Sequence, residues 1–182
     1  MMGHMQEYSH AAWGMFFANN LRGSSKSNGG PVINLKKILA PTDLSKLSRP
    51  AVRYALELAL ERGAAVLVYL VISEDSEWIG SDDRLNPANA LLAQQRERLH
   101  AFMAENFAEL TNKLAVVELV EAGVPYNRIV DKAKQEHADL IVMSTHGRTG
   151  FEQVLLGSVT AKVVARAICP VLSIRPTKSS AH

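Results

Sequence analysis

Cysteine is almost absent from this chain. A single Cys169 among 182 residues excludes an internal disulfide framework and a cysteine-rich zinc site, a pattern that fits a reducing cytosol. Long hydrophobic runs are missing too: none approaches the roughly 20 residues that span a bilayer. The N-terminus has no basic stretch followed by a long apolar one, so a secretory signal is not expected. Neither sign of charge is in excess, and a net charge of +2 does not argue for a nucleic-acid surface. A Walker-type G-x-x-x-x-G-K-[ST] loop is absent as well. What is present suits one globular domain, because 47% apolar residues can build a sizeable core. The expectation is a cytoplasmic protein without nucleic-acid or membrane partners.

Composition divides the chain unevenly. Residues 1–31 end in the glycine- and serine-rich stretch 23–31 and read as a leader and linker. Within it Trp13, Phe16, Phe17 and Leu21 recur at helical spacing, so a partner-docking helix stands beside the reading of a disordered leader. Residues 32–176 form the expected domain, and 177–182 a frayed tail. From Lys37 the chain alternates regularly. Lys37–Ala40 leads into Pro41, Thr42 and Asp43 as a buried strand ending in a turn. Ser48 can cap a helix with Pro50 in its first turn and Ala51, Tyr54, Ala55, Leu58 and Ala59 on its inner face, ended by Gly63. The unbroken apolar run Ala65–Ile72 suits a parallel strand covered on both faces.

An acidic loop, Glu74 to Asp83, precedes a long helix from Pro87 to Leu110 with Leu92, Leu99, Phe102, Met103, Phe107 and Leu110 inward. Leu114–Val120 is a third strand, Tyr126–His137 a helix with Ile129, Val130 and Ala133 inward, and Asp139–Met143 a fourth strand. A loop then runs to Gly157 and Ser158, which open a last helix faced by Val159, Val163, Ala167 and Ile168. Pro170 cannot continue that helix, and Pro170–Ile174 is a fifth strand. Strand-helix alternation of this kind predicts an α/β fold: a doubly wound five-stranded parallel sheet, Rossmann-like with order 3-2-1-4-5, helices on both faces and right-handed crossovers.

Ligands of such sheets sit beyond the carboxyl ends of the strands, at the switch point. Two segments lie there: the end of strand one and the loop after strand four. That loop reads Ser144-Thr145-His146-Gly147-Arg148-Thr149-Gly150, and later Gly157-Ser158-Val159-Thr160. Glycines let backbone amides approach an anion without an intervening Cβ, and a helix start at Gly157 aims unpaired amides outward. Ser158 and Thr160 add hydroxyls, and Arg148 could touch a phosphate. The alternative is that the glycines only turn the chain and Ser158 caps the helix. Asp43, at the end of strand one, is open to two readings in the same way, as a ligand-binding residue or as the cap of its own turn. His146 has no partner carboxylate or nucleophile nearby in sequence, and Cys169 reads as a packed thiol.

From Lys37 to Pro176 the sequence resembles the universal stress proteins. The residues that carry the resemblance are Ile38-Leu39-Ala40-Pro41-Thr42-Asp43, Ala138–Met143, His146-Gly147 spaced nine residues from Gly157-Ser158, and Cys169-Pro170-Val171-Leu172. Family members that bind ATP carry glycine, two residues, glycine, nine residues, glycine, then serine or threonine. Here the second glycine is Gly147, the third is Gly157, and the hydroxyl residue is Ser158; the first glycine position holds Ser144, a departure from the pattern. The resemblance implies ATP, with magnesium or manganese, held by Pro41, Thr42, Asp43, Val71, Met143, Ser144, Gly147, Arg148, Gly157, Ser158, Val159 and Thr160. It offers backbone groups at Val71 to the adenine, and it implies a homodimer through the last strand, Val171 to Ile174. No residue is assigned a catalytic or metal-ligating role.

Three functions compete on these residues. The first is a nucleotide-dependent stress-response module binding ATP with little or no turnover. The second is a dimeric interaction protein of the same fold without nucleotide, for which Ser144 speaks. The third, a slow ATP hydrolase, ranks last because no general base can be named.

Overall fold

A computed structural model of the chain describes residues 34–73, 87–145 and 157–175. The leader and linker, the acidic loop from Glu74 to Asp83 and the tail after 176 lie outside the described residues. The domain consists of β1 (Lys37–Thr42), α1 (Arg49–Arg62), β2 (Ala65–Ile72), α2 (Pro87–Thr111), β3 (Val116–Ala122), α3 (Pro125–Gln135), β4 (Leu140–Ser144), α4 (Ser158–Arg166) and β5 (Val171–Ile174). The strands form one parallel sheet, as the alternation predicted, in the expected Rossmann-like order β3-β2-β1-β4-β5.

The period of two within each strand divides the core between the two faces. Ile38, Ala40, Val66, Val68 and Leu70 meet Ala51, Val52, Ala55 and Leu56 of α1 and Leu99, Met103 and Phe107 of α2. On the opposite face Leu39, Leu67, Tyr69, Ile141 and Met143 meet Ile129 and Ala133 of α3 and Val163 of α4. The apolar run Ala65–Ile72 is therefore buried from both sides, which explains why it lacks alternation.

Several local expectations change. The inner face of α1 is Ala51, Val52, Ala55, Leu56 and Ala59, while Tyr54 is exposed and Leu58 half-buried. The helix must face both β1 and α2, so its buried stripe is rotated by one residue from the simple count. Helix α3 stops at Gln135 because His137 takes a left-handed conformation (φ 51°) and Ala138 donates its N–H to Ala133 O at 2.9 Å. Gly63 closes α1 in the same way with φ 64°, and Ala64 N–H reaches Ala59 O at 2.9 Å. Helix α4 ends at Arg166, and Ile168 is exposed rather than packed inward.

β3 begins and ends two residues later than expected. In that register Glu118 lies beside Val68, and Glu121 beside Val71. At the amino end of the sheet, Asp139 Oδ2 accepts the backbone N–H groups of Lys36 (2.8 Å) and Lys37 (2.9 Å), tying the start of β1 to β4.

Candidate functional site

Both central strands end in polar residues at their carboxyl ends. β1 gives Thr42 and then Asp43; β4 gives Ser144 and then Thr145. The turn after β1 is shaped by its own side chains. Thr42 Oγ1 accepts the N–H of Leu44 (3.1 Å), and Asp43 Oδ1 accepts the N–H of Ser45 (3.0 Å). Leu44 sits at φ 63°, a left-handed conformation that a bulky residue adopts only when its surroundings hold it there. Ser48 precedes α1 but does not cap it with its side chain. Its hydroxyl instead donates to Ser45 O (2.9 Å) and lies 2.9 Å from Thr42 Oγ1. Asp43 thus shapes the turn, as one of its two sequence readings held, and it remains half-buried at the rim.

Ser144 ends β4 in a strand conformation and is buried. Among the described residues, only Leu44 and His137 are non-glycines with positive φ. The first glycine position of the motif therefore demands no glycine here. The Ser144 hydroxyl donates to Leu47 O at 2.9 Å, so its proton serves the loop after β1. Its carbonyl accepts the hydroxyl of Thr160 at 2.8 Å. Thr160 is buried, and with its hydroxyl proton so engaged it has its backbone amide to offer a ligand.

Helix α4 starts where β4 ends in space. Gly157 is its N-cap at φ −61°, ψ 156°, its N–H bonded to Thr145 O at 2.7 Å and its carbonyl accepting Ala161 N–H at 2.9 Å. That conformation suits any residue, so what glycine contributes is the missing Cβ. The amides of Ser158, Val159 and Thr160 have no carbonyl four residues earlier in the helix and point out of its N-terminus. Gly147 and Arg148, with the neighbouring His146, lie outside the described residues. Pro41 is buried in β1, Met143 packs in the α3–α4 core layer, and Val71 is half-buried one strand further out. The structure thus gathers Thr42, Asp43, Ser144, Gly157 and Ser158 at one end of the sheet, with the Ser144–Leu47 bond as a direct contact between the end of β4 and the loop after β1.

A second polar cluster was not read from the sequence. Glu121 Oε2 accepts the hydroxyl of the fully buried Tyr69 at 2.7 Å, and Glu121 Oε1 pairs with Lys132 Nζ at 2.6 Å. The ammonium also lies 5.9 Å from the Tyr69 ring centroid. Burial by itself raises the Glu121 carboxyl, but hydrogen bonds from Lys132 and Tyr69 outweigh it and hold it below its ordinary range. Burial, then the hydrogen bond to Glu121 and its charge, push the Tyr69 hydroxyl far above the usual phenol range. The available signal was a tyrosine inside an apolar run and a lysine between the inward positions Ile129 and Ala133. Burial, followed by the charge of Asp139, raises the Cys169 thiol, consistent with an unreactive packed side chain. Among the described residues no group of three or more His, Cys, Asp or Glu side chains could hold a metal ion, and no helix is long and apolar enough to cross a membrane.

Comparison with known proteins places these features in company. The family model described as "Universal stress protein family" matches residues 34–175. Universal stress protein MJ0531 of Methanocaldococcus jannaschii is 37% identical over 145 residues, covering 79% of this chain and 84% of that protein. The solved structure of MJ0577 from the same archaeon aligns with a TM-score of 0.66 at 30% identity, over 79% of this chain and 98% of that one. A universal stress protein solved in complex with cAMP shares the fold at a TM-score of 0.52 and 23% identity, over 79% of this chain and 98% of that one.

Proposed function

The chain belongs to the universal stress protein family, and from that premise we propose that it is a nucleotide-binding stress-response module that holds ATP at the switch point between β1 and β4. One observation supports this most: α4 opens on Gly157 at the end of β4, with first-turn amides pointing outward, next to the Asp43 turn at the end of β1. Oriented amides and a helix dipole attract phosphate oxygens, and Ser158 adds a hydroxyl. Beside triphosphate oxygens the Asp43 carboxylate would be repelled, so its place is toward the ribose or base, or on a divalent cation bridging to phosphate. Magnesium or manganese would supply that neutralising charge. Gly147 completes the set as the second motif glycine, Arg148 beside it offers a guanidinium to phosphate, and the backbone at Val71 meets the adenine. The module acts with little or no turnover.

The proposed homodimer pairs through β5. The two sheet edges differ: β3 carries Glu118 and Glu121, whereas β5 reads Val171-Leu172-Ser173-Ile174 without a charge. Ile141 N–H bonds Pro170 O and Thr145 N–H bonds Ile174 O, so in a parallel ladder the amides of Val171 and Ser173 face away from β4. Those are the groups a second copy can satisfy.

Isothermal calorimetry with ATP and magnesium tests the site. The wild type should bind in the micromolar range, about −8 kcal/mol. Gly157→Glu places bulk and negative charge where phosphate sits, at a backbone conformation glutamate accepts, and should abolish binding with the fold intact. Ser158→Ala should weaken binding by roughly 1.5–3 kcal/mol. Absence of binding by the wild type would refute the ATP reading and favour an interaction module without nucleotide. Equal binding by all three would put the nucleotide elsewhere, and rapid metal-dependent phosphate release would instead identify a hydrolase.

A further inference from the structure

Resting on the nucleotide reading above, we propose that Ser144 is a positioning residue: it braces the β1–α1 loop against the first turn of α4 and so sets the distance across the site. The loop that carries Asp43 is well bonded within itself, through Thr42, Asp43, Ser45 and Ser48. Those bonds fix its local shape, including the left-handed Leu44, and they are made between residues 42 and 48. Ser144 adds a hydrogen bond from the end of β4 to this loop. Its hydroxyl reaches across 97 residues of sequence to Leu47 O at 2.9 Å, and its carbonyl takes the Thr160 hydroxyl at 2.8 Å.

One residue thus holds the Asp43 loop by its side chain and the helix of Ser158 by its backbone. The Thr160 bond is buried and the Leu47 bond partly so, with Ser144 8% and Thr160 4% exposed, so solvent is kept from the first and competes only in part for the second. A glycine at 144, as in the family's ATP-binding pattern, keeps the carbonyl bond and loses the loop bond. In this chain the serine is therefore a tether, and restoring glycine should weaken the site.

The test compares Ser144→Gly, Ser144→Ala and Ser144→Thr with the wild type by two measurements on the full chain. Hydrogen–deuterium exchange without nucleotide reports the loop directly at residues 44–48, with β2 as an internal reference for global stability. Loss of the tether should speed loop exchange about fivefold in the glycine and alanine variants, while threonine, which keeps the hydroxyl, restores protection. Calorimetry with magnesium-ATP should show a matching, about fivefold weaker affinity for glycine and alanine and recovery for threonine. Loop exchange unchanged in Ser144→Ala overturns the tether whether or not nucleotide binds. Tighter ATP binding by Ser144→Gly overturns it also, as does equal affinity in all four proteins. If the wild type binds no ATP while the alanine and glycine variants still exchange faster and threonine does not, the tether stands and the nucleotide reading alone falls.

Discussion

Replacing Glu121 by glutamine keeps the shape of the side chain and removes its charge, at a point where two buried donors converge on it. Tyr69 donates at 2.7 Å and Lys132 at 2.6 Å. A hydrogen bond involving a charged group contributes about 1.5–3 kcal/mol and a neutral one about 0.5–1.5, so weakening two costs about 2 kcal/mol. The glutamate side chain is 29% exposed and the lysine 11%, so solvent screening lowers the expected loss to about 1–2 kcal/mol. For a domain of this size that corresponds to a melting temperature lower by about 2–8 °C.

The pH dependence has a definite sign. The Glu121 carboxyl is lower in the folded protein than its ordinary 4.5, so its charged form stabilises the fold above that value and the contribution fades as pH falls through the folded value. Urea titrations of wild type and Glu121→Gln should therefore differ fully at pH 7 and converge in acid. Combining Glu121→Gln with Lys132→Met should cost less than the sum of the single changes, because each single change strands the other's charge and the double change strands neither. A variant that melts within a degree of wild type, or a difference that persists undiminished in acid, would refute this account of the cluster.

Asp139→Asn should lower the urea midpoint by an equivalent of about 1–2 kcal/mol, since one carboxylate oxygen accepts both Lys36 and Lys37 amides; an unchanged midpoint would mean that this strand-end contact contributes nothing. Gly123→Ala should destabilise by about 1–3 kcal/mol in thermal melts, because φ is 141° and the new Cβ would lie 2.6 Å from Arg128 Nε, a side chain that also bonds Ala122 O. Ser173→Pro removes an amide that faces away from β4 and should shift light scattering toward monomer; proline at Leu172, whose amide faces β4, would damage the sheet instead. An unchanged dimer in a folded Ser173→Pro protein would take this edge out of the interface.

Much of the fold was legible because its signals are local. An eight-residue apolar run bounded by Gly63 and a polar loop suits a strand covered twice, Gly63 ends a helix because left-handed geometry is open to glycine, and alternation of strands and helices favours parallel crossovers. The positions at the ends of β1 and β4 followed from the same order, so Asp43 and the Gly157-Ser158 helix start could be named from spacing and family pattern. What one residue's side chain touches was not legible. Whether Ser144 faces a ligand or the Leu47 carbonyl depends on where a loop 97 residues away comes to rest. Glu121 meets Tyr69 and Lys132 only because the β3 register places it beside Val71 and α3 crosses above that strand. Periodicity encodes which face a residue occupies, and that is enough to build the layers. Pairing between faces and loops depends on register and on helix placement, which emerge from the packing of the whole core and from no single segment of the chain.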